Sequence, residues 1–192
     1  SCYDLLVPKC LNGGKGRDIK NADENTWYQY GRTQAITSFV DTPKLIVRVL
    51  SKTPMYAYDR SDMLIASGGT AGYCAVAGHP DKEYDLAYIQ AWLNHPYTEK
   101  LLQIMGSDFE GGFTARGTYL LKKVPFVKLD LTDKKQKAVY DRVVTASYRI
   151  YELNELMEQK KDKTTKQIAE NEKKHLINQI EKDITKVYKL QF

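Results

Sequence analysis

The sequence predicts an α+β fold in which a twisted mixed sheet with short helices is followed by a long antiparallel helical hairpin. Three patterns support this prediction. Short apolar runs separated by Gly, Pro, Asn and Asp fill the first two thirds of the chain, two helical segments interrupt them, and a heptad-like apolar spacing occupies the C-terminal third. The 192 residues, 42% of them hydrophobic, suffice to bury a large core.

Apolar runs at residues 5–7, 44–49, 63–66 and 73–76 predict the strands. We expect residues 59–62 to turn the chain before the third run, and Gly68-Gly69 to supply permissive backbone at the next connection. Helices are predicted at residues 83–93 and from Pro96 to Gly106, because proline is tolerated at a first helical position and glycine favours a helix end. Gly111-Gly112 and Gly117 predict a loop and another short strand.

The C-terminal third predicts two long helices that form a hairpin. Thr132 is expected to cap the first helix, and Thr164 with Gln167 has the spacing of a capping box for the second. Apolar residues recur every three or four positions in each arm, so each seam can bury against the other arm or against a partner chain. The seam residues are Val139, Val143, Ala146, Ile150, Leu153, Met157, Ile177, Ile180, Ile184 and Val187. We therefore divide the chain into residues 1–131 and a helical hairpin, residues 132–192, packed on them.

The net charge of +5 is concentrated in the hairpin. Residues 1–133 carry 15 basic and 15 acidic side chains, whereas residues 134–192 carry 14 basic and nine acidic ones. Excess positive charge attracts polyanions, but on helices it is also typical of a solvated face. Charge alone leaves both interpretations open.

Cysteine spacing and apolar run lengths exclude several classes of protein. Cys2, Cys10 and Cys74 form no CxxC pair, so neither a disulfide framework nor a zinc site is indicated. The apolar runs are far shorter than the roughly 20 residues of a membrane span, and no signal-peptide pattern opens the chain. We expect a cytoplasmic protein without a membrane partner.

The sequence assembles no convincing catalytic group. Asn94-His95-Pro96-Tyr97 differs by one residue from the Asn-Pro-Pro-Tyr loop that holds a flipped base in amino-methyltransferases, but it lies between two helical segments, which favours an inter-helix turn. Gly13-Gly14-Lys15-Gly16-Arg17 lacks the spacing of a P-loop, and the three histidines show no ligand spacing. We expect no catalytic residue, metal site or cofactor site in this segment.

Arg32 and Gln34 carry the paired donors and acceptors that direct readout of base edges requires, and they lie beside Tyr28 and Tyr30. The alternative is a loop whose aromatic rings pack on the sheet while its polar groups face water. Arg116, in a glycine-flanked segment, is open to the same two interpretations. Lys15, Arg17 and Lys20 are candidates for phosphate contacts, which position a protein without carrying sequence information; they lie in and beside the glycine-rich loop at residues 13–17.

Several segments resemble, in order and spacing, the target-recognition domain of restriction-modification methyltransferases, in particular its TaqI-like C-terminal specificity form. They are Tyr-Gly-Arg-x-Gln at residues 30–34, Gly-Gly-x-x-Gly-Tyr at residues 68–73, Leu93-Asn94, Gly111-Gly112-Phe113, Val124-Pro125-Phe126 and the final helix at residues 180–190. The resemblance spans nearly the whole chain. His95 replaces the family's usual serine, and residues 190–192 replace its terminal Leu-Tyr-Gly-Leu. These departures lie in turns and at the C-terminus more than on the surface that is expected to contact the DNA bases.

The resemblance implies a module that recognises double-stranded DNA and delivers a target base to a methyltransferase domain of the same polypeptide. That domain would use S-adenosylmethionine to methylate adenine, with or without an attached restriction endonuclease. Tyr30, Arg32, Gln34 and Arg116 would then face the bases, with Lys15, Arg17 and Lys20 on phosphates. Two rival hypotheses are that the chain itself methylates or cleaves DNA, and that it is a protein–protein interaction module acting through the hairpin.

Overall fold

The computed structural model describes residues 7–11, 13–14, 16–17, 19, 22–25, 39–60, 63–65, 72–78, 83–106, 111–160 and 162–191. In chain order, its elements are β1 (Lys44–Arg48), β2 (Leu50–Ser51), β3 (Tyr56–Asp59), β4 (Tyr73–Ala77), α1 (Leu86–Leu93), α2 (Pro96–Met105), β5 (Thr114–Ala115), α3 (Thr118–Leu121), α4 (Lys134–Gln159) and α5 (Lys163–Gln191). The fold is α+β, as predicted. No helix in these ranges has the length and apolar character needed to cross a membrane.

The larger sheet has three strands in the order β3-β1-β4, and both strand pairs are antiparallel. Leu45 and Val47 alternate along β1 and are fully buried, as expected for a strand with one face on the core. β2 and β5 form a second, two-stranded antiparallel sheet. The predicted mixed sheet is therefore corrected to antiparallel sheets, because every strand pair among the described residues is antiparallel. A parallel bridge joins Pro8 and Arg17, but it is isolated and lies outside these sheets.

The strand predictions at residues 44–49 and 73–76 are confirmed, and the one at residues 63–66 is wrong over the described residues 63–65. Met63 and Leu64 are more than half exposed and belong to no strand. β3 was not predicted, because Tyr56–Asp59 mixes aromatic and polar residues and was assigned in part to a turn. Residues 5, 6, 66 and 68–71 lie outside the described residues.

Helix α1 is apolar around most of its circumference. Six of its eight residues are buried: Leu86, Ala87, Tyr88, Ala91, Trp92 and Leu93. A helix of this kind needs cover on several sides, and here the sheet and the hairpin both contact it. It begins at Leu86 rather than at residue 83 because the Asp85 carboxylate accepts a hydrogen bond from the Ala87 N–H and caps the helix.

Helix α2 has the predicted bounds, with Pro96 at its first position and Gly106 at its end. A Cβ added at Gly106 would lie 2.9 Å from the carbonyl oxygen of Leu102, so the close approach of the chain requires glycine there. The inter-helix turn predicted at residues 94–97 is confirmed. His95 Nδ1 accepts from the Tyr97 N–H and thereby caps α2.

The predicted antiparallel hairpin is formed by α4 and α5, but its caps differ from the prediction. Asp133, not Thr132, accepts from the N–H groups of Lys135 and Gln136. Asp162, not Thr164, accepts from the first N–H groups of α5. Aspartate is as good an N-cap as threonine, and in both cases it lies at the position whose oxygen reaches the free N–H groups.

The two seams of the hairpin pack within this chain. Val143, Ile184 and Val187 are almost fully buried and join the core of the sheet and of α1 in one continuous cluster, and Leu153 is buried as well. Arg142 binds both oxygens of Asp183 at 3.1 Å, which fixes the antiparallel alignment of the arms. Most of the seam is therefore occupied internally, although Ile177 is 38% exposed.

Arg116 is the main departure from the predicted site. Its side chain is completely buried, and its guanidinium donates to both carboxylate oxygens of Glu99, to the carbonyl oxygens of Ser51 and Thr114, and to the Ser51 hydroxyl. All three guanidinium nitrogens are thus engaged. The prediction that Arg116 reaches a base edge is wrong for this structure, because the side chain joins α2 to the two-stranded sheet instead.

We predict that Glu99→Ala lowers the free energy of unfolding by about 3–5 kcal/mol, because it leaves the buried Arg116 charge without its partner. Urea denaturation followed by circular dichroism measures this loss. Glu152→Ala is the matched control, since it breaks the exposed ion pair with Arg149 and should cost at most about 1 kcal/mol. Equal losses in the two variants would contradict the structural role of the Arg116 pair.

We also predict that stability falls as the pH drops below about 6.5. His95 is buried; Nδ1 accepts from Tyr97, and Nε2 faces the Glu181 carbonyl oxygen and the Thr185 hydroxyl, so the neutral Nε2–H form fits these partners. Desolvation by burial lowers the pKa of His95 from its ordinary value of 6.5. As the pH falls, His95 is therefore protonated in the unfolded chain before it is protonated in the folded chain. The contribution of His95 to the free energy of unfolding is present above pH 6.5 and is lost as the pH falls toward the pKa of the folded state.

Unfolding midpoints between pH 7.5 and 5 measure this dependence, and His95→Gln should flatten it. The carboxyls whose pKa is lowered, including that of Asp183 near Arg142, lose their contribution only at more acidic pH. An identical slope in the wild type and in His95→Gln would show that another group is responsible.

Candidate nucleic-acid interface

Five of the seven predicted contact residues, Lys15, Lys20, Tyr30, Arg32 and Gln34, lie outside the described residues. Their assignments stay predictions. Of the other two, Arg116 is buried in the ion pair with Glu99, and Arg17 lies in the glycine-rich loop.

Arg17 is half-buried, and the loop around it is held by backbone hydrogen bonds. Its N–H donates to the carbonyl of Val7 at 3.1 Å, and its carbonyl accepts from the Lys9 N–H at 2.8 Å. Gly13, Gly14 and Gly16 all have positive φ, between 53° and 103°, which explains why glycine occupies these turn positions. The backbone of Arg17 is thus held in place by described residues, and the predicted phosphate contact is untested.

Arg60 is a candidate that the sequence reasoning missed. It is exposed and follows directly after β3. Its guanidinium carbon lies over three tyrosine rings, 5.2 Å from the ring centres of Tyr58 and Tyr148 and 5.8 Å from that of Tyr151. These distances are within the range of cation–π attraction. We name these three residues the tyrosine platform.

The rings of the tyrosine platform also contact one another. Tyr58 and Tyr151 stack with centroids 5.1 Å apart, and Tyr148 meets both rings edge-on. Such pairs are favourable beyond the apolar area that they bury. The platform therefore joins β3 to α4 through aromatic contacts.

Two hydroxyl groups of the platform are held by α1 or its cap. Tyr148 donates to both carboxylate oxygens of Asp85, at 3.0 and 3.2 Å, and Tyr151 donates to the side-chain oxygen of Gln90. Burial, together with neighbouring groups that include Asp85, raises the pKa of both hydroxyls above the ordinary value, so they stay protonated and donate at neutral pH. These hydrogen bonds to Asp85 and Gln90 therefore fix the orientation of the Tyr148 and Tyr151 rings.

The backbone next to Arg60 is fixed by a buried ion pair. Lys44 Nζ lies 3.0 Å from Asp59 Oδ2, and the two residues are direct partners in the β1–β3 register. Lys44 also donates to the carbonyl oxygens of Phe39 and Thr42. The carboxylate next to Arg60 in the sequence is therefore already engaged by a lysine.

The guanidinium of Arg60 makes no hydrogen bond or ion pair with any residue that the structure describes. A guanidinium has five N–H donors in one plane. Arg60 can therefore bind an anion or a pair of acceptors without breaking an existing hydrogen bond. Within the described ranges, no group of three or more His, Cys, Asp or Glu side chains could hold a metal ion.

The two-residue spacing of Tyr58 and Arg60, at the end of β3, was a signal in the sequence that could have indicated this cluster. Tyr148 and Tyr151 are three positions apart and therefore on one helix face. The contact of Tyr148 and Tyr151 with Arg60 depends on how α4 packs on β3. This packing cannot be predicted from the sequence of either element alone.

No protein-family model matches this chain. The chain is 38% identical over 157 residues to the Type II restriction enzyme and methyltransferase RM.Eco57I of Escherichia coli. The aligned segment covers 81% of this chain and 15% of that enzyme, so the chain spans a small part of its relative. By this similarity, the chain is related to a restriction-modification protein.

Proposed function

We propose that this chain is the duplex-recognition segment of a restriction-modification, adenine-specific DNA methyltransferase and does not itself catalyse. The observation that carries the proposal is the 38% identity to a segment of a protein described as both a restriction enzyme and a methyltransferase. A protein with such activities needs a part that selects the site on DNA, and the motif order at residues 30–34, 68–73 and 111–113 supports that part being this segment.

The proposed contacts combine base readers and phosphate contacts. Arg32 and Gln34 would read base edges beside Tyr30, because arginine pairs with guanine edges and glutamine with adenine edges. Lys15, Arg17 and Lys20 would neutralise phosphates and fix the position of the protein on the duplex. Arg116 is not included, since its donors are occupied within the fold.

The proposed partners are double-stranded DNA and a methyltransferase domain of the same polypeptide, in the cytoplasm. That domain would bind S-adenosylmethionine and act on a base flipped out of the duplex, because the target amino group cannot be reached inside the stack. This segment would supply the binding energy that holds the duplex during flipping.

The alternative of a protein–protein module acting through the hairpin is less well supported. Its strongest sequence argument was the apolar seam, and most of that seam is buried against α1 and the opposite arm. A partner could reach the buried seam residues only by opening the core. The exposed positions of the hairpin are mostly polar or charged.

We predict that the affinity for duplex DNA falls as the salt concentration rises. The triple variant Lys15→Gln, Arg17→Gln and Lys20→Gln should show a weaker dependence of affinity on salt. Each lost phosphate contact should reduce the slope of log affinity against log salt by about 0.9, or about 2.7 for all three. The loss should be the same for every duplex sequence. Fluorescence anisotropy at several salt concentrations measures it.

The matched control removes the same charge at Lys100 of α2 and at Lys122 and Lys123, which directly follow α3; all three are exposed. Arg32→Ala is the complementary variant and should cost roughly 1–3 kcal/mol on the preferred sequence alone. If the wild type shows no salt-dependent binding to any duplex, the proposed function is wrong. If both triple variants reduce the slope of log affinity against log salt equally, the net charge of the chain causes the reduction, and the proposed phosphate contacts at residues 15–20 do not.

We further predict that the chain alone transfers no methyl group. Incubation with duplex DNA and methyl-labelled S-adenosylmethionine should leave the DNA unlabelled, and incubation with Mg²⁺ should leave it uncut. The same duplex treated with a characterised adenine methyltransferase serves as the positive control. Labelling above background by the chain alone would establish the enzyme hypothesis in place of the recognition module.

A further inference from the structure

We propose that Arg60 is a specificity-determining residue that reads the major-groove edge of a guanine in duplex DNA, with the tyrosine platform as its support. This inference rests on the proposed function, because it requires that the chain bind a duplex. It adds a contact residue outside the segments whose sequence suggested base recognition.

Arg60 differs from the arginines that maintain the fold. Arg116, Arg142 and Arg149 are each bonded to carboxylates: Glu99, Asp183, and Glu152 with Glu172, respectively. Arg60 is exposed and has no hydrogen bond or ion pair among the described residues. Its donors are therefore not used by the fold that the structure describes.

Arg60 is also pre-organised. Three rings lie within 5.8 Å of its guanidinium carbon, and two of those rings are fixed by hydrogen bonds to Asp85 and Gln90. An arginine already held in place loses less conformational freedom on binding. The N–H donors lie in the plane of the guanidinium, so cation–π contact with its face leaves donors at its edge available.

The charge around Arg60 favours a base edge over a phosphate. Both a phosphate and the O6 and N7 acceptors of guanine can take two hydrogen bonds from one guanidinium, so the surroundings of Arg60 separate the two ligands. The Asp85 carboxylate behind Tyr148 adds negative charge close to the platform. That charge opposes a phosphate group but has a weaker effect on a neutral base.

The test compares base preferences of the full chain and its variants, selected from a pool of duplexes with a randomised centre. Arg60→Lys keeps the charge but loses the planar pair of donors. We expect it to weaken the preference for guanine at one position and to leave the other positions unchanged, because lysine can also reach guanine O6 and N7 but lacks the rigid plane. Arg60→Gln should abolish the same preference, a loss of roughly 5- to 150-fold.

Arg48→Ala is the matched control. Arg48 is an exposed arginine on the neighbouring strand β1 whose Nη1 lies 3.8 Å from the sulfur of Met55, and no aromatic ring of the described residues lies beneath its guanidinium. Its removal should leave the base preferences intact. Unfolding midpoints of all variants show whether the fold is retained, as expected for substitutions at exposed positions.

The outcomes separate the two proposals. If the wild type selects a sequence and Arg60→Gln selects the same one equally strongly, Arg60 does not read a base. If Arg60→Gln weakens binding to all duplexes alike while Arg60→Lys does not, Arg60 contacts a phosphate, and the base-reading role is wrong. If the wild type binds no duplex, the proposed function itself fails, and the role of Arg60 fails with it.

Discussion

The burial of α1 is the constraint on which the rest of the structure depends. Six of its eight residues are buried, so neither the sheet nor the hairpin alone can cover it. Its few polar groups then join its neighbours: Gln90 donates to the Tyr56 carbonyl oxygen of β3 at 2.6 Å and accepts from Tyr151 of α4, while the cap residue Asp85 accepts from Tyr148. The tyrosine platform is therefore a consequence of how α1 is enclosed.

Among the described residues, several charged side chains maintain the fold. Two buried ion pairs, Lys44 with Asp59 and Arg116 with Glu99, connect strands and helices distant in the sequence. Removing one partner of such a pair is costly because the remaining charge stays desolvated. Arg60 is adjacent to one of these pairs yet belongs to neither, and it contacts the tyrosine platform instead.

Local signals determined which elements could be predicted from the sequence. Pro96 and Gly106 define α2 because each acts on its own backbone, and the hairpin followed from its apolar spacing. The burial of Arg116 was missed because it depends on Glu99, 17 positions away, and Ser51, 65 positions away. The platform was missed for the same reason, since Tyr148 and Tyr151 meet β3 only after α4 packs on the sheet.

Nuclear magnetic resonance of the ¹⁵N-labelled chain, titrated with the duplex that it selects, tests the central claim most directly. The claim is that the surface formed by β3 and α4 faces the DNA. The account predicts that the Arg60 Nε–H signal, assigned by comparison with Arg60→Lys, shifts and sharpens on binding together with signals of Tyr58, Tyr148 and Tyr151. Shifts confined to the exposed lysines of α5, with Arg60 unchanged, would place the DNA on the opposite arm of the hairpin and contradict the account.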